Sequence, residues 1–213
     1  QIKQRVGHHR SKWNALHLQR VLLAALLWLF SAAATSQVET RIVDIPTRPG
    51  VTQRFLYLSP AKPKAVVVLY AGGEGALKIT DSGGFGWGKG NFLVRSRELF
   101  AQQGLAVAVV DAPSDRDGLK AFRQTPQHVE DARAVIAWLR EQTRVPIWLV
   151  GTSNGTLSVA FIATQLPSSE GGPDGAVLTA SVLVGKEGRT RPVPDMPLER
   201  ISIPTLLVHH KQD

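Results

Sequence analysis

The sequence contains no cysteine. Disulfide cross-links and cysteine-ligated zinc are therefore excluded, because both need thiol side chains. Methionine is nearly as scarce, and Met196 is its one occurrence. The sequence also has no ligand-spaced set of His, Asp and Glu residues and no phosphate-binding P-loop, so we expect neither a metal nor an organic cofactor.

Acidic residues are absent before Glu39, although the chain carries 17 of them. Of the formal net charge of +8, this acid-free stretch supplies Lys3, Arg5, Arg10, Lys12 and Arg20. The remainder carries only about +3, which is too little for a phosphate-binding surface. We therefore expect no nucleic-acid partner.

The first 36 residues have the layout of a secretory signal peptide. Residues 1–20 are mostly basic and polar, Val21–Ala34 is almost wholly apolar, and small residues follow up to Ser36. The apolar run of about 14 residues is shorter than the roughly 20 that a membrane span needs. We expect an exported protein, periplasmic or secreted, with no membrane span in its mature form. An uncleaved anchor and a buried helix are the alternatives.

Residues 37–213 alternate strand-like and helical patterns, which predicts one α/β domain. Two alternating runs, Glu39–Pro46 and Thr52–Leu58, predict an antiparallel pair at a sheet edge. Continuous apolar runs predict further strands buried on both faces. These runs are Ala65–Tyr70, Leu105–Val110, Pro146–Val150, Ala176–Val184 and Thr205–Val208.

Helical patterns lie between these strands. Asn91–Gln103 ends at Gly104, a residue suited to a helix C-cap, and Thr125 with Pro126 is typical of a helix start. A third helix is expected from Gly155. The alternation predicts a doubly wound, mostly parallel sheet with helices on both faces.

The sharpest motif is Gly151-Thr152-Ser153-Asn154-Gly155. It follows a predicted buried strand and opens a predicted helix, the context in which G-x-S-x-G places a nucleophilic serine on a tight turn. Side chains at Gly151 and Gly155 would collide in such a turn, and the helix N-terminus would favour a developing oxyanion. A structural turn that happens to hold a serine is the alternative.

On these residues the sequence resembles the α/β-hydrolase family over about residues 39–213. The resemblance implies that Ser153 is the nucleophile and that the backbone N–H of Asn154 is one donor of the oxyanion hole. It places the second donor in the loop after the third strand, with Gly73 as first choice and Glu74 as second. It also implies a catalytic acid just past the strand Ile203–His210, at Asp213, with Asp174 and Asp195 as weaker candidates.

A general base is missing from the family order, because no histidine follows Asp213. His209 and His210 are expected to be polar residues at a strand end, and His128 to be a surface or capping residue in the first turn of a helix. We therefore expect a domain truncated at its C-terminus, which is inactive as this fragment because the base lies beyond residue 213.

Four further residues are candidates for lining a substrate pocket: Gly72, Trp87, Arg95 and Asp115. Gly72 and Trp87 belong to the glycine-rich stretch Gly72–Gly90, and loops of that length are often functional. Arginine side chains near a helix N-terminus are unfavourable, because their positive charge lies beside the positive end of the helix dipole. We expect Asp111, Asp115 or a ligand carboxylate to offset Arg95 and Arg97.

These features favour a serine hydrolase that cleaves a carboxylic ester, with an amide as second choice. The interval Gly185–Pro204 is short, which favours a compact, open site and small esters as substrates. One alternative is a non-catalytic exported binding protein on the same fold. Another is a dinucleotide-binding domain, but Gly72–Gly75 lacks the G-x-G-x-x-G spacing. The sequence does not indicate an oligomeric state.

Overall fold

The computed structural model describes residues 38–185 and 190–211. Its strands are β1 (Glu39–Arg48), β2 (Val51–Ser59), β3 (Ala65–Tyr70), β4 (Leu105–Val110), β5 (Ile147–Thr152), β6 (Gly175–Thr179) and β7 (Thr205–Val208). Its α-helices are α1 (Phe92–Gln102), α2 (Pro126–Gln142) and α3 (Gly155–Gln165). Single 3₁₀ turns lie at Ser168–Glu170, Val193–Asp195 and Leu198–Arg200. The signal peptide predicted for residues 1–36 lies outside the described residues.

The strands form one sheet in the order β1-β2-β4-β3-β5-β6-β7. β1 pairs antiparallel with β2, and β2 pairs antiparallel with β4. The remaining neighbours are parallel. The predictions of an antiparallel edge pair and of a mostly parallel sheet are confirmed.

Helices cover both faces of this sheet, as the sequence predicts. On β3, Val66, Val68 and Tyr70 pack in the cluster that holds α2 and α3. The intervening Val67 and Leu69 pack in the cluster that holds α1. This alternation follows from the two-residue period of a strand, and apolar residues at every position are what a strand buried on both faces requires.

The helix boundaries also agree with the sequence. Asn91 caps α1 by accepting a hydrogen bond from the Leu93 N–H, and the side chain of Thr125 caps α2 with Pro126 at its first position. The face of α2 that packs into the core contains four buried apolar residues, Ala132, Val135, Ile136 and Leu139.

Two strand predictions at the chain's end are wrong. β6 ends at Thr179 rather than Val184, because Ala180 adopts a φ of 45° that takes the chain out of the strand. β7 is not buried: Leu206, Leu207 and Val208 are 54%, 63% and 46% exposed. The reason is that β7 is the edge strand of the described sheet and pairs with β6 alone.

Candidate active site

Ser153 occupies the sharp turn between β5 and α3. Its φ is +51°, a left-handed conformation that a non-glycine residue seldom adopts, and its side chain is exposed. The Ser153 N–H donates to the carbonyl of Thr179 at 3.1 Å, so the neighbouring strand β6 holds the turn. Its carbonyl accepts bonds from the N–H and the hydroxyl of Thr156, at 2.9 and 2.6 Å. Strain maintained by the surrounding structure in this way is typical of functional sites.

Both glycines of the motif are required by close backbone contacts. A Cβ at Gly155 would lie 2.0 Å from the carbonyl oxygen of Tyr70, and one at Gly151 would lie 2.6 Å from the carbonyl oxygen of Gly155. The start of α3 therefore sits against the end of β3. This approach brings the loop that follows β3 beside Ser153.

Gly72 and Gly73 of that loop lie at the turn. A Cβ on Gly72 would be 3.1 Å from the Ser153 Cβ, and Gly73 has a φ of +64°. The Asn154 side-chain amide donates to the Gly73 carbonyl at 3.2 Å, which joins the loop to the start of α3. Glu74 follows with an exposed side chain, and its carbonyl accepts a bond from the Leu119 N–H at 2.7 Å.

Four backbone N–H groups at this junction have no acceptor among the described residues. Within the described part of the chain, the amides of Gly72, Gly73, Glu74 and Asn154 donate to no protein oxygen. Unpaired backbone donors are uncommon, and several of them beside an exposed hydroxyl form the kind of group that stabilises an oxyanion. The residues predicted for the oxyanion hole are thus neighbours in the structure, although their catalytic role stays a prediction.

Trp87 is the one pocket candidate besides Gly72 that lies at this junction. A Cβ on Gly73 would be 2.5 Å from the Trp87 ring, so the indole covers the loop directly. The backbone N–H of Trp87 donates to the Leu77 carbonyl at 3.0 Å, and 41% of the residue remains exposed.

The glycine-rich stretch that carries Trp87 is anchored by Asp111, at the carboxyl end of β4. This buried carboxylate accepts four backbone N–H bonds, from Leu77, Lys78, Ile79 and Ala112 at 2.6 to 3.2 Å. The expectation that Asp111 offsets Arg95 or Arg97 is wrong, because its oxygens are used by the loop.

Arg95 and Asp115, the remaining pocket candidates, do not share the contacts that gather around Ser153. Arg95 is exposed on α1. Asp115 forms a two-bond ion pair with Arg48 at 3.0 and 3.1 Å, and this pairing lowers the pKa of its carboxyl group. Since Arg48 also binds Asp131 on α2, Asp115 belongs to an ion-pair cluster, and the arginine pairings expected for it are wrong.

The predicted acid Asp213 lies outside the described residues. Of the alternatives, Asp174 directly precedes β6, whereas Ser153 directly follows the parallel strand β5. The two residues therefore lie at opposite ends of the parallel strands. Its carboxylate accepts bonds from the Ile147 N–H at 2.8 Å and from Arg140 at 3.1 Å, so Asp174 is a structural residue. Asp195 is exposed in a 3₁₀ turn.

Three histidines lie in the part of the chain that the structure describes. His209 and His210 are exposed after β7, as expected for residues at a strand end. His128 is 3% exposed, so its prediction as a surface residue is wrong. It packs edge-on against Tyr70 and Phe122, and burial lowers its pKa to about 3.

Sequence reasoning missed two residues that contact the loop after β3. Asn91 lies with its amide nitrogen 3.4 Å from a Cβ built on Gly72. Its position directly after the glycine-rich stretch and before a helix was a usable signal. Arg123 is 1% exposed and donates to the carbonyls of Ala71 and Gly73. No pattern in the sequence distinguishes it from a solvent-exposed arginine.

Solved structures of several esterases share this architecture. An esterase from an Arctic intertidal metagenomic library is 19% identical with a TM-score of 0.57, and the match covers 83% of this chain and 73% of that one. An esterase of Pyrococcus furiosus is 15% identical with a TM-score of 0.58, over 80% and 69% of the two chains. The fold is that of the α/β-hydrolases.

Further structures extend the comparison. A carboxyl esterase of the fungus Tuber melanosporum is 18% identical with a TM-score of 0.52, over 84% of this chain and 68% of that one. The chain spans 41% of the length of a brefeldin A esterase, a bacterial homologue of human hormone-sensitive lipase. No protein-family model and no curated protein matches the sequence.

Two classes of feature are absent from the part of the chain that the structure describes. It contains no group of three or more His, Asp or Glu side chains that could hold a metal ion. None of its helices combines the length and the apolar character needed to cross a membrane.

Proposed function

We propose that the chain is the nucleophile-bearing part of a serine hydrolase that cleaves a carboxylic ester, with an amide as second choice. The observation that carries the proposal is the group of unpaired N–H donors, from Gly72, Gly73, Glu74 and Asn154, beside the exposed hydroxyl of Ser153. Structural similarity to esterases supports it only at the level of fold.

In the proposed reaction the Ser153 Oγ forms a bond to the ester carbonyl carbon, and its proton passes to a general base. The carbonyl oxygen becomes an oxyanion that accepts bonds from the Asn154 amide and from the Gly73 or Glu74 amide. The intermediate then collapses, and the departing alcohol takes the proton from the base. Water attacks the resulting acyl-enzyme by the same steps and releases the acid.

The general base is the part of this proposal that the described residues do not identify. His128 is buried against aromatic rings, and neither of its nitrogens has a hydrogen-bond partner among the described residues. We infer that the base is a histidine encoded beyond Asp213, that Asp213 orients it, and that this chain alone is inactive. We also retain the export of the protein, through residues 1–36, as a proposal.

The test is to read the gene past the codon for Asp213, express the encoded protein and measure hydrolysis of a short-chain p-nitrophenyl ester. Ser153→Ala should abolish turnover, whereas Ser96→Ala on α1 should retain it and serves as the matched control. A frame without a further histidine, or a Ser153→Ala variant as active as the control, would refute the proposal. The non-catalytic binding protein would then be favoured.

A further inference from the structure

A buried arginine joins the two elements that carry the unpaired donors. Arg123 lies in the segment that precedes α2, and 1% of its surface is exposed. One terminal nitrogen donates to the Ser158 hydroxyl on α3 at 2.9 Å. The other donates to the carbonyls of Ala71 and Gly73, at 3.0 and 3.1 Å.

These bonds restrict the peptide groups of the loop. In a trans peptide the carbonyl and the following N–H point in opposite directions, and the described chain has no cis peptide bond. With the Ala71 and Gly73 carbonyls directed at Arg123, the N–H groups of Gly72 and Glu74 are directed away from it. The Gly73 N–H belongs to the peptide between these two fixed groups, so its rotation is restricted as well.

The loop is shaped to fit this guanidinium. A Cβ on Gly75 would lie 2.6 Å from the Arg123 nitrogen that binds both carbonyls. The backbone N–H of Arg123 donates to the Leu119 carbonyl at 2.9 Å, and the Leu119 N–H donates to the Glu74 carbonyl at 2.7 Å. Side chain and backbone of the Leu119–Arg123 segment therefore hold the same loop from one side.

A simple structural cation would be expected to pair with a carboxylate, because burying an unpaired charge is costly. Among the described residues no carboxylate forms an ion pair with Arg123, and its partners are two carbonyls and a hydroxyl. Burial lowers the pKa of Arg123 to about 10, although Glu74 opposes the shift. It remains a cation at neutral pH, and it can bind three acceptors at once because its planar fork is rigid.

We propose that Arg123 is a positioning residue that holds the loop Ala71–Gly75 against α3. It thereby sets the spacing between the loop amides and the Asn154 amide that together receive the oxyanion. This inference rests on the proposed function. It assigns Arg123 no contact with substrate, and its effect passes through the carbonyls that it binds.

A first experiment needs no catalysis and uses the 213-residue chain. Hydrogen exchange of the Leu119 amide reports the loop, because that amide is bonded to Glu74. Arg123→Lys should accelerate this exchange by about 10-fold or more, since lysine cannot serve both carbonyls and Ser158. The matched control is Arg140→Lys, because Arg140 donates to the carbonyl of Gly172 far from Ser153. It should leave the Leu119 amide unchanged.

A second experiment measures kinetics on the ester-hydrolysing protein encoded by the gene read past Asp213. Arg123→Lys should lower kcat by up to about 100-fold with little change in KM, the signature of a displaced oxyanion donor. Ser158→Ala keeps both carbonyl bonds and should give a smaller loss. The preference for an ester over its thionoester should fall in both variants, because sulfur is a weak acceptor that gains little from the oxyanion hole.

The outcomes separate the two proposals. The positioning role would be overturned if Arg123→Lys kept the wild-type kcat, thionoester preference and Leu119 exchange, or if Ser158→Ala kept the wild-type thionoester preference. An equal loss of kcat in Arg140→Lys would overturn it too, because that result indicates general destabilisation. Full turnover by Ser153→Ala would instead refute the proposed function, whatever the Arg123 variants do.

Discussion

His128 should make the stability of this domain fall in mild acid. Its ring packs edge-on against Tyr70 and Phe122, at centroid distances of 5.7 and 5.4 Å. Burial is the main cause of its lowered pKa of about 3, and the positive charges of Arg123 and Arg48 act in the same direction. In the unfolded chain the ring returns to its ordinary pKa near 6.5. Below that pH the unfolded state therefore binds a proton that the folded state does not.

The sign and size of the effect follow from this difference. His128 favours folding fully above pH 6.5, and its contribution is lost as the pH falls towards 3. Between pH 8 and pH 4.5 the loss amounts to about 3 kcal/mol for a single group with these two pKa values. Against a typical stability of about 5–15 kcal/mol, a loss of that size is easily measured.

The assay is urea-induced unfolding at pH 8 and pH 4.5, compared between the wild-type chain and His128→Phe. Phenylalanine keeps a ring between Tyr70 and Phe122 and cannot bind a proton, so most of the acid-induced loss should disappear. His209→Gln is the control, because His209 is exposed, and it should lose as much stability as the wild type. If His128→Phe loses as much as the wild type between the two pH values, a neutral buried His128 is not the cause.

Two further substitutions test the construction of the site. Gly155→Ala should prevent stable folding, because its Cβ would lie 2.0 Å from the Tyr70 carbonyl oxygen. The control is Gly90→Ala, which has open space around its Cβ and should show a normal thermal melt by circular dichroism. A normal melt of both variants would contradict the close approach of α3 to β3. Asp111→Asn should cost about 1–3 kcal/mol in urea unfolding, because an amide nitrogen would face a backbone donor. The exposed Asp117→Asn should cost little, and equal losses would show that Asp111 does not anchor the loop.

The sequence predicted those parts of the fold that depend on local pattern. β3 and β4 were predicted with their observed ends, because a short run that is apolar at every position is typical of a strand in a sheet covered on both faces. Thr125 and Asn91 marked helix starts because a capping side chain acts within its own turn. The turn at Ser153 was predicted from the G-x-S-x-G pattern between a strand and a helix, although the contact of Gly155 with the Tyr70 carbonyl joins distant positions.

The missed features depend on tertiary contacts between distant positions. Arg123 contacts residues that are 35 to 52 positions away, and nothing near it in the chain indicates burial. His128 was predicted at the surface because its neighbours Glu130 and Asp131 are charged, yet it faces Tyr70. The apolar run after Thr179 predicted a longer strand, and only the backbone conformation of Ala180 ends it.

The hydrogen bond between the Ser153 N–H and the Thr179 carbonyl ties the turn that carries Ser153 to the neighbouring strand β6. The Thr179 hydroxyl donates to the Gly151 carbonyl at 3.2 Å, so one residue braces both sides of the turn. Whatever displaces the end of β6 will displace Ser153 with it. Directed evolution of this scaffold should therefore keep position 179 together with the Ser153 turn and diversify the solvent-facing β7 instead.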